Sequence, residues 1–129
     1  MPDLKPVGIF REMYRTPKSG LPSLDESHVD HVEEDRQRIL DYMNAGEVVF
    51  DVMDDVTDLI GHVDRIRSGP TLISDGVWIW RTDSIHYLGR YPLHIPEDFL
   101  RHVRGHDYRP ECEGNLSDPS FDTAISAYF

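Results

Sequence analysis

Two histidines and a carboxylate have the spacing of a metal site on a helix. His28, His31 and Asp35 are separated by three and four residues, so a helix would place all three on one side. Imidazole and carboxylate ligands in that arrangement suit a divalent transition metal. The same spacing arises often by chance on an exposed acidic helix, and we therefore expect neither a metal nor a cofactor there.

Four aspartates follow closely in the next part of the chain. They are Asp51, Asp54, Asp55 and Asp58. An EF-hand calcium loop needs Gly at its sixth position and Glu at its twelfth, where this chain has Val56 and His62. The four carboxylates therefore do not form an EF-hand, and each must be hydrated or paired with a cation.

The sequence offers no nucleophile in a recognisable catalytic setting. Cys112 is the only cysteine and lies between Glu111 and Glu113, whose negative charges disfavour the reactive thiolate. The Gly-x-Ser-x-Gly, His-Glu-x-x-His and phosphate-loop motifs are absent. We expect no catalytic residue, and an enzyme is not the preferred interpretation.

The negative charge is concentrated in one third of the chain. Residues 25–64 contain thirteen Asp or Glu against only Arg36 and Arg38, a local balance that equals the net charge of −11 for all 129 residues. Such a surface is repelled by phosphate backbones and by anionic lipid. It excludes direct nucleic-acid or membrane binding as the expected function and favours a basic protein partner.

A hairpin is the clearest structural signal. Two β-prone runs, 71–74 and 77–81, flank the dipeptide Asp75-Gly76, which favours a two-residue type I′ turn. In the second run Trp78 and Trp80 face one side, while Val77 and Ile79 face the other. Both sides of the sheet are therefore apolar, and each must be covered.

Periodicity predicts the remaining elements. Apolar spacing indicates a helix from Ser27 to Met43 and, after it, a largely buried strand over residues 47–53. Residues 54–64 have helical spacing weakened by Gly61, which predicts a short helix or turn. Two more helices are predicted over residues 83–90 and 97–104, the second beginning after Pro96 and ending at Gly105.

These elements predict one α+β domain. Residues 1–109 form an antiparallel sheet built on the 71–81 hairpin, with helices packed on it, and residues 110–129 form an acidic C-terminal tail. No stretch has the length and apolar character of a membrane helix or signal segment. We expect a cytoplasmic protein.

Several stretches resemble a family of small actinobacterial proteins. They include DGVWIW at residues 75–80, YPLHIPEDFL at residues 91–100 and ILDYMNAG at residues 39–46. The family is uncharacterised, but some members look like immunity proteins encoded beside secreted toxins. Members often have Pro after the second Trp, where this chain has Arg81. The resemblance implies a toxin inhibitor and transfers no catalytic residue.

Charge and resemblance together predict an acidic binding protein, an immunity protein that neutralises a basic toxin such as a nuclease. The residues expected to bind the partner are Asp51, Asp54, Asp55 and Asp58, with Glu33 and Glu34 as outer contacts. Two alternatives stay open. One is a small metal-dependent hydrolase that uses His28, His31 and Asp35, and the other is a homodimer formed through the Trp78 and Trp80 face.

Overall fold

The structure is a computed structural model that describes residues 4–14, 20–110 and 119–128. Its strands are β1 (Lys5–Pro6), β2 (Glu47–Phe50), β3 (Val56–Thr57), β4 (Arg65–Ile66), β5 (Leu72–Ser74) and β6 (Trp78–Arg81). Its α-helices are α1 (Arg36–Asn44), α2 (Thr82–Arg90), α3 (Glu97–Gly105) and α4 (Asp122–Ser126). Short 3₁₀ helices cover Arg11–Met13, Asp25–Ser27 and Pro119–Phe121. The predicted α+β class is confirmed.

The predicted hairpin is formed by β5 and β6, with its turn one residue later than expected. Asp75 and Trp78 close the turn through a 3.3 Å backbone hydrogen bond, so Gly76 and Val77 are its central residues. Gly76 has φ +94°, the conformation that a type II′ turn requires at its first central position. The expected type I′ turn over Asp75-Gly76 is therefore wrong, because the Asp75 side chain binds the turn instead of occupying its centre.

The main sheet has four strands in the order β1-β6-β5-β2. β5 pairs antiparallel with both β6 and β2, whereas β1 runs parallel to β6. The sheet is therefore mixed, and the expectation of a purely antiparallel sheet is only partly right. β2 is left at an edge, and β3 pairs with β4 in a separate two-stranded sheet.

One face of the sheet is covered by α1, α2 and α3. Trp78 and Trp80 are buried on this face and contact the ring of Phe99 from α3. The indole Nε1 of Trp80 donates a 3.1 Å hydrogen bond to the carbonyl of Met43 at the end of α1. Because both tryptophans are interior, this face offers no exposed surface for the homodimer considered from the sequence.

The opposite face is covered by the end of the chain. Phe121 and Ile125 pack against Leu72 and Ile79 of the hairpin and against Leu4. Part of the segment assigned to an acidic tail thus completes a second apolar layer, while residues 111–118 lie outside the described ranges. Both faces of the hairpin are covered, as their apolar character predicted.

The long helix predicted from Ser27 is present only in its second half. α1 begins at Arg36, and residues 27–29, at the start of the predicted helix, instead bond to residues 92–94, which follow α2. Val29 donates to the carbonyl of Pro92 at 2.8 Å, and His94 donates to that of Ser27 at 2.7 Å. These tertiary hydrogen bonds replace the helical ones and override the weak local helix propensity.

Two further predictions are corrected between α1 and the hairpin. The strand over residues 47–53 is shorter and lies at an edge, so Val48 is 55% exposed instead of buried. Residues 54–64 contain no helix, because Val56 and Thr57 pair with Ile66 and Arg65. Within the described ranges, no helix has the length and apolar character needed to span a membrane.

Candidate functional site

The exposed surface of β2 and the segment after it combines carboxylates with apolar side chains. We call this surface the acidic edge, and it consists of the exposed residues Glu47, Val48, Asp51, Met53, Asp54 and Asp55. β2 ends at Phe50, and the chain then runs without regular structure to β3. In the described part of the chain no strand pairs with the outer side of β2.

The aspartates of the acidic edge have no basic partner among the described residues. Asp51 accepts a 3.2 Å hydrogen bond from the hydroxyl of Thr71, and Asp55 accepts one of 3.3 Å from the backbone N–H of Ser68. Neither contact neutralises a charge. Three carboxylates within five residues therefore repel one another through solvent. A cation or a basic surface that binds there would relieve this repulsion.

Apolar side chains on the same stretch are unusually exposed. Met53 is 88% exposed, Val63 is 83% exposed and Val48 is 55% exposed. Of the six large apolar side chains that are exposed in the described ranges, five lie between residues 48 and 63. Sequence reasoning missed Val48, Phe50 and Met53 because it assigned residues 47–53 to a largely buried strand. The signal that was present is the alternation of acids with apolar residues, which also fits an edge strand.

Asp58 does not belong to this surface. It is 1% exposed, and its carboxylate fastens the loop between β3 and β4 to α2. Oδ1 accepts the backbone N–H groups of Ile60 and Gly61 at 2.7 and 2.8 Å. Oδ2 contacts Nε2 of His86 at 2.6 Å and accepts the Tyr91 hydroxyl at 2.8 Å. The prediction that Asp58 contacts a partner is corrected, because all of its acceptor capacity is used inside the chain.

The hydrogen bonds of Asp58 also determine its charge state. Burial by itself would raise the pKa of the carboxyl, but the hydrogen bonds from His86, Tyr91 and the two backbone N–H groups together hold the pKa well below its usual range. The hydrogen bond to Asp58 raises the pKa of Tyr91, so the Tyr91 hydroxyl keeps its proton. Asp58 is therefore ionised at neutral pH.

Asp58, Asp64 and His86 are near enough for a metal ion, since one donor atom from each lies within 4.8 Å of the others. Their hydrogen bonds point to a different role. The Asp58 oxygens face four donors, and Asp64 forms a 3.1 Å ion pair with Arg90. A cation would have to displace His86 or Tyr91, so the cluster serves as a fastening between loop and helix.

Asp75 repeats this construction at the hairpin turn. Its Oδ1 accepts the backbone N–H groups of Val77 and Trp78 at 2.9 and 2.7 Å. Its Oδ2 accepts the hydroxyl of Tyr42 and lies 2.8 Å from Nε2 of His102. In both cases a buried aspartate closes a turn with one oxygen and binds a tyrosine and a histidine from the helical layer with the other.

An Asp–His pair is also the way in which many enzymes orient a histidine base. Such a base would have to face a cavity that admits a substrate. Cavities of about 440, 310 and 200 Å³ within the described residues are lined by neither His86 nor His102. The geometry of the two pairs therefore supports a positioning role in the fold.

The remaining predicted residues lie near α3. Glu33 forms a 3.3 Å ion pair with Arg104, whereas Glu34 is exposed. Asp35 accepts two 2.9 Å hydrogen bonds from Arg104 and one of 2.6 Å from the Tyr108 hydroxyl. The Arg104 hydrogen bonds, with that of Tyr108, hold the pKa of Asp35 well below its usual range.

The metal constellation considered from the sequence does not form. His28 and His31 precede α1 on an irregular segment, where His28 forms an isolated bridge with Leu93. Asp35 is already bound by Arg104 and Tyr108. Without a helix the three residues are not displayed on one side, and the hydrolase alternative loses the arrangement on which it depended.

Comparison with known proteins gave no match to any family, to any curated protein or to any solved structure.

Proposed function

We propose that the protein is an acidic binding protein of the immunity or inhibitor type, which neutralises a basic toxin such as a nuclease through its acidic edge. The observation that carries the proposal is the exposure of Met53 and Val48 among aspartates that have no basic partner in the described ranges. Exposed apolar side chains supply binding energy, and carboxylates supply orientation and speed.

The edge position of β2 adds a backbone contribution. An edge strand presents N–H and C=O groups that an extended segment of another protein can pair with. Two copies of this chain would bring Glu47 and Asp51 of each close to the same charges of the other, and like charges across paired strands are destabilising. A strand or loop that carries Lys and Arg would instead place positive charges opposite these carboxylates, which stabilises the pairing.

A nuclease fits this surface because its active site must hold phosphate. The site therefore displays positive charge that a carboxylate array can occupy. Long-range attraction then raises the association rate toward about 10⁸ M⁻¹s⁻¹ at low salt. The resemblance of the 75–80 and 91–100 stretches to proteins that include toxin-immunity members agrees with this function.

The function can be tested by expressing the chain together with the products of the genes that flank its own. We expect one neighbour to arrest growth when expressed alone and to be neutralised by this protein. Neutralisation should be lost in the triple variant Asp51→Asn, Asp54→Asn and Asp55→Asn. The matched control, Glu26→Gln, Asp30→Asn and Asp41→Asn, removes the same charge from exposed acids elsewhere and should retain it.

Purified proteins then separate charge from apolar contact. The association rate should fall steeply between low and physiological ionic strength, because exposed charges are screened within about 8–10 Å. Met53→Ser should mainly accelerate dissociation, since it removes apolar area and no charge. Full neutralisation by the acidic-edge triple variant would refute the proposal.

A further inference from the structure

A cavity on the helical side of the molecule has the volume of a small-molecule site. It has a volume of about 310 Å³ and lies between the segment that leads into α1, the segment after α2, and α3. It shares no residue with the acidic edge. Ligand sites of roughly 300–1,000 Å³ are mostly apolar and carry a few polar groups that fix orientation.

The lining is mixed, with charged and imidazole side chains around an apolar inner side. Leu88, Leu93 and Leu100 are buried residues that contribute to it, and the ring of Tyr91 stands beside them. The hydroxyl of Tyr91 is bound by Asp58 at 2.8 Å, which holds this ring in place. A preformed apolar lining reduces the entropy that a ligand must lose to become ordered.

The charged groups at the cavity differ in whether they have a partner within the chain and in how exposed they are. Arg104 is held by Asp35 and Glu33, and Glu33 is neutralised by the same contact. Arg36 lines the cavity and is half-buried, yet in the described ranges its side chain has no ion pair or hydrogen bond. Glu97 also lines the cavity but is exposed, so water screens its charge more strongly.

Arg65, Arg67 and Arg109 also have no side-chain ion pair or hydrogen bond in the described ranges, but they are exposed and none of them lines this cavity. A half-buried arginine beside an apolar lining is the arrangement that binds a carboxylate by paired N–H donors while the rest of the ligand is removed from water. We infer that this cavity binds a small monocarboxylate, with the carboxylate on Arg36 and an aliphatic or aromatic body against Leu88, Leu93 and Leu100.

Hexanoate is a suitable probe, and 1-hexanol is its uncharged counterpart. With the full chain labelled with ¹⁵N, titration of hexanoate should give saturable shifts at backbone amides of residues 33–36 and 93–95. A dissociation constant on the order of 1 mM is expected for a ligand of this size. Hexanol should bind at least about tenfold more weakly, because it cannot form the charged hydrogen bonds.

Arg36→Gln should weaken hexanoate binding at least about tenfold while leaving the thermal midpoint unchanged, because the side chain has no partner in the fold. Arg67→Gln, at an exposed arginine away from the cavity, should bind hexanoate like the original chain. Three results would each overturn the inference: no saturable shift, equal affinity for hexanoate and hexanol, or unchanged binding after Arg36→Gln.

Discussion

At the scale of single residues, Asp58 and Asp75 show how this chain uses its buried carboxylates. Each accepts the backbone N–H groups two and three residues later with Oδ1, and each binds a tyrosine hydroxyl and a histidine Nε2 with Oδ2. The histidines come from α2 and α3. The four donors around each carboxyl group replace the water that burial removes, so both aspartates can stabilise the turns they close.

Replacement of Asp58 should therefore cost far more stability than replacement of a neighbouring exposed aspartate. Asp58→Asn puts an amide donor where His86 and Tyr91 also donate, and we expect a loss of about 2–4 kcal/mol in the free energy of unfolding. Asp54→Asn, at an exposed carboxylate, should change it by less than about 0.5 kcal/mol. Urea unfolding of the two variants measures the difference, and equal costs would show that Asp58 is not fastened as described.

The pKa values of the aspartates predict a stability maximum at mildly acidic pH. Asp58 and Asp35 have folded pKa values below the usual 3.8, so their stabilisation is present above about pH 4 and is lost as the pH falls through the folded values. Burial raises the pKa of Asp83 to about 6 despite its ion pair with Arg81. Its contribution is complete below about pH 4 and is lost as the pH rises through about 6.

Unfolding free energies measured from pH 2 to pH 8 should accordingly be highest at about pH 4, with a decline below it and a second decline between about pH 4 and pH 6. Asp58→Asn should make the decline below pH 4 shallower, because Asp58 no longer contributes to it, whereas Asp35 and Glu12, whose pKa values are also lowered, still do. An equally steep decline in the variant would mean that Asp58 does not have a depressed pKa in the folded state.

At the scale of elements, the sequence predicted the hairpin and the helices whose formation depends on residues close together in the chain. The hairpin depends on Gly76 and on alternating apolar residues, and α2 and α3 have strong helical periodicity with Gly105 at the end of α3. The start of α1 could not be predicted, because Ser27 and Val29 are held by backbone hydrogen bonds to His94 and Pro92, more than sixty residues later. The β3–β4 pair is equally dependent on distant contacts, since Tyr87 and His86 hold its loop.

The link between α1 and β2 gives a direct test of how closely these layers pack. A Cβ added to Gly46 would lie 2.7 Å from Cζ2 of Trp80 and 2.8 Å from Cγ2 of Ile73. Gly46→Ala should therefore destabilise the fold by about 1–3 kcal/mol through overpacking. Gly105→Ala is the matched control, because no atom lies within 4 Å of its added Cβ, and it should be neutral or stabilising by up to about 1 kcal/mol. Thermal unfolding followed by circular dichroism measures both, and a neutral Gly46→Ala would contradict the close contact of Trp80.

At the scale of the whole molecule, the acidic segment of residues 25–64 contains carboxylates of two kinds, those bound within the fold and those left exposed. The carboxylates of Glu33, Asp35 and Asp58 are bound by groups that are distant in sequence. Those of Asp51, Asp54 and Asp55 stay exposed without a basic partner in the described ranges. Sequence could show the excess of charge but could not divide it, because the donors that bind the first group come from α2, α3 and Tyr108.

Because the exposed carboxylates of the acidic edge repel one another, we expect this surface to lower the stability of the fold. Changing Asp51, Asp54 and Asp55 together to Asn removes three repelling charges from a chain with a net charge of −11. We expect the free energy of unfolding to rise by about 0.5–1 kcal/mol at low salt, while the neutralisation proposed for this surface is lost. Natural binding surfaces often carry such a conflict between stability and function.

Salt provides the control for this prediction. At about 0.5 M NaCl the charges are screened over a few ångströms, so the stability difference between the triple variant and the original chain should shrink toward zero. Urea unfolding at low and high salt measures both differences. A triple variant that is less stable at low salt would mean that these carboxylates hold the fold together through contacts within the chain. The acidic edge would then be a structural feature, because side chains already engaged in the fold cannot also be available to a basic partner without a loss of stability on binding.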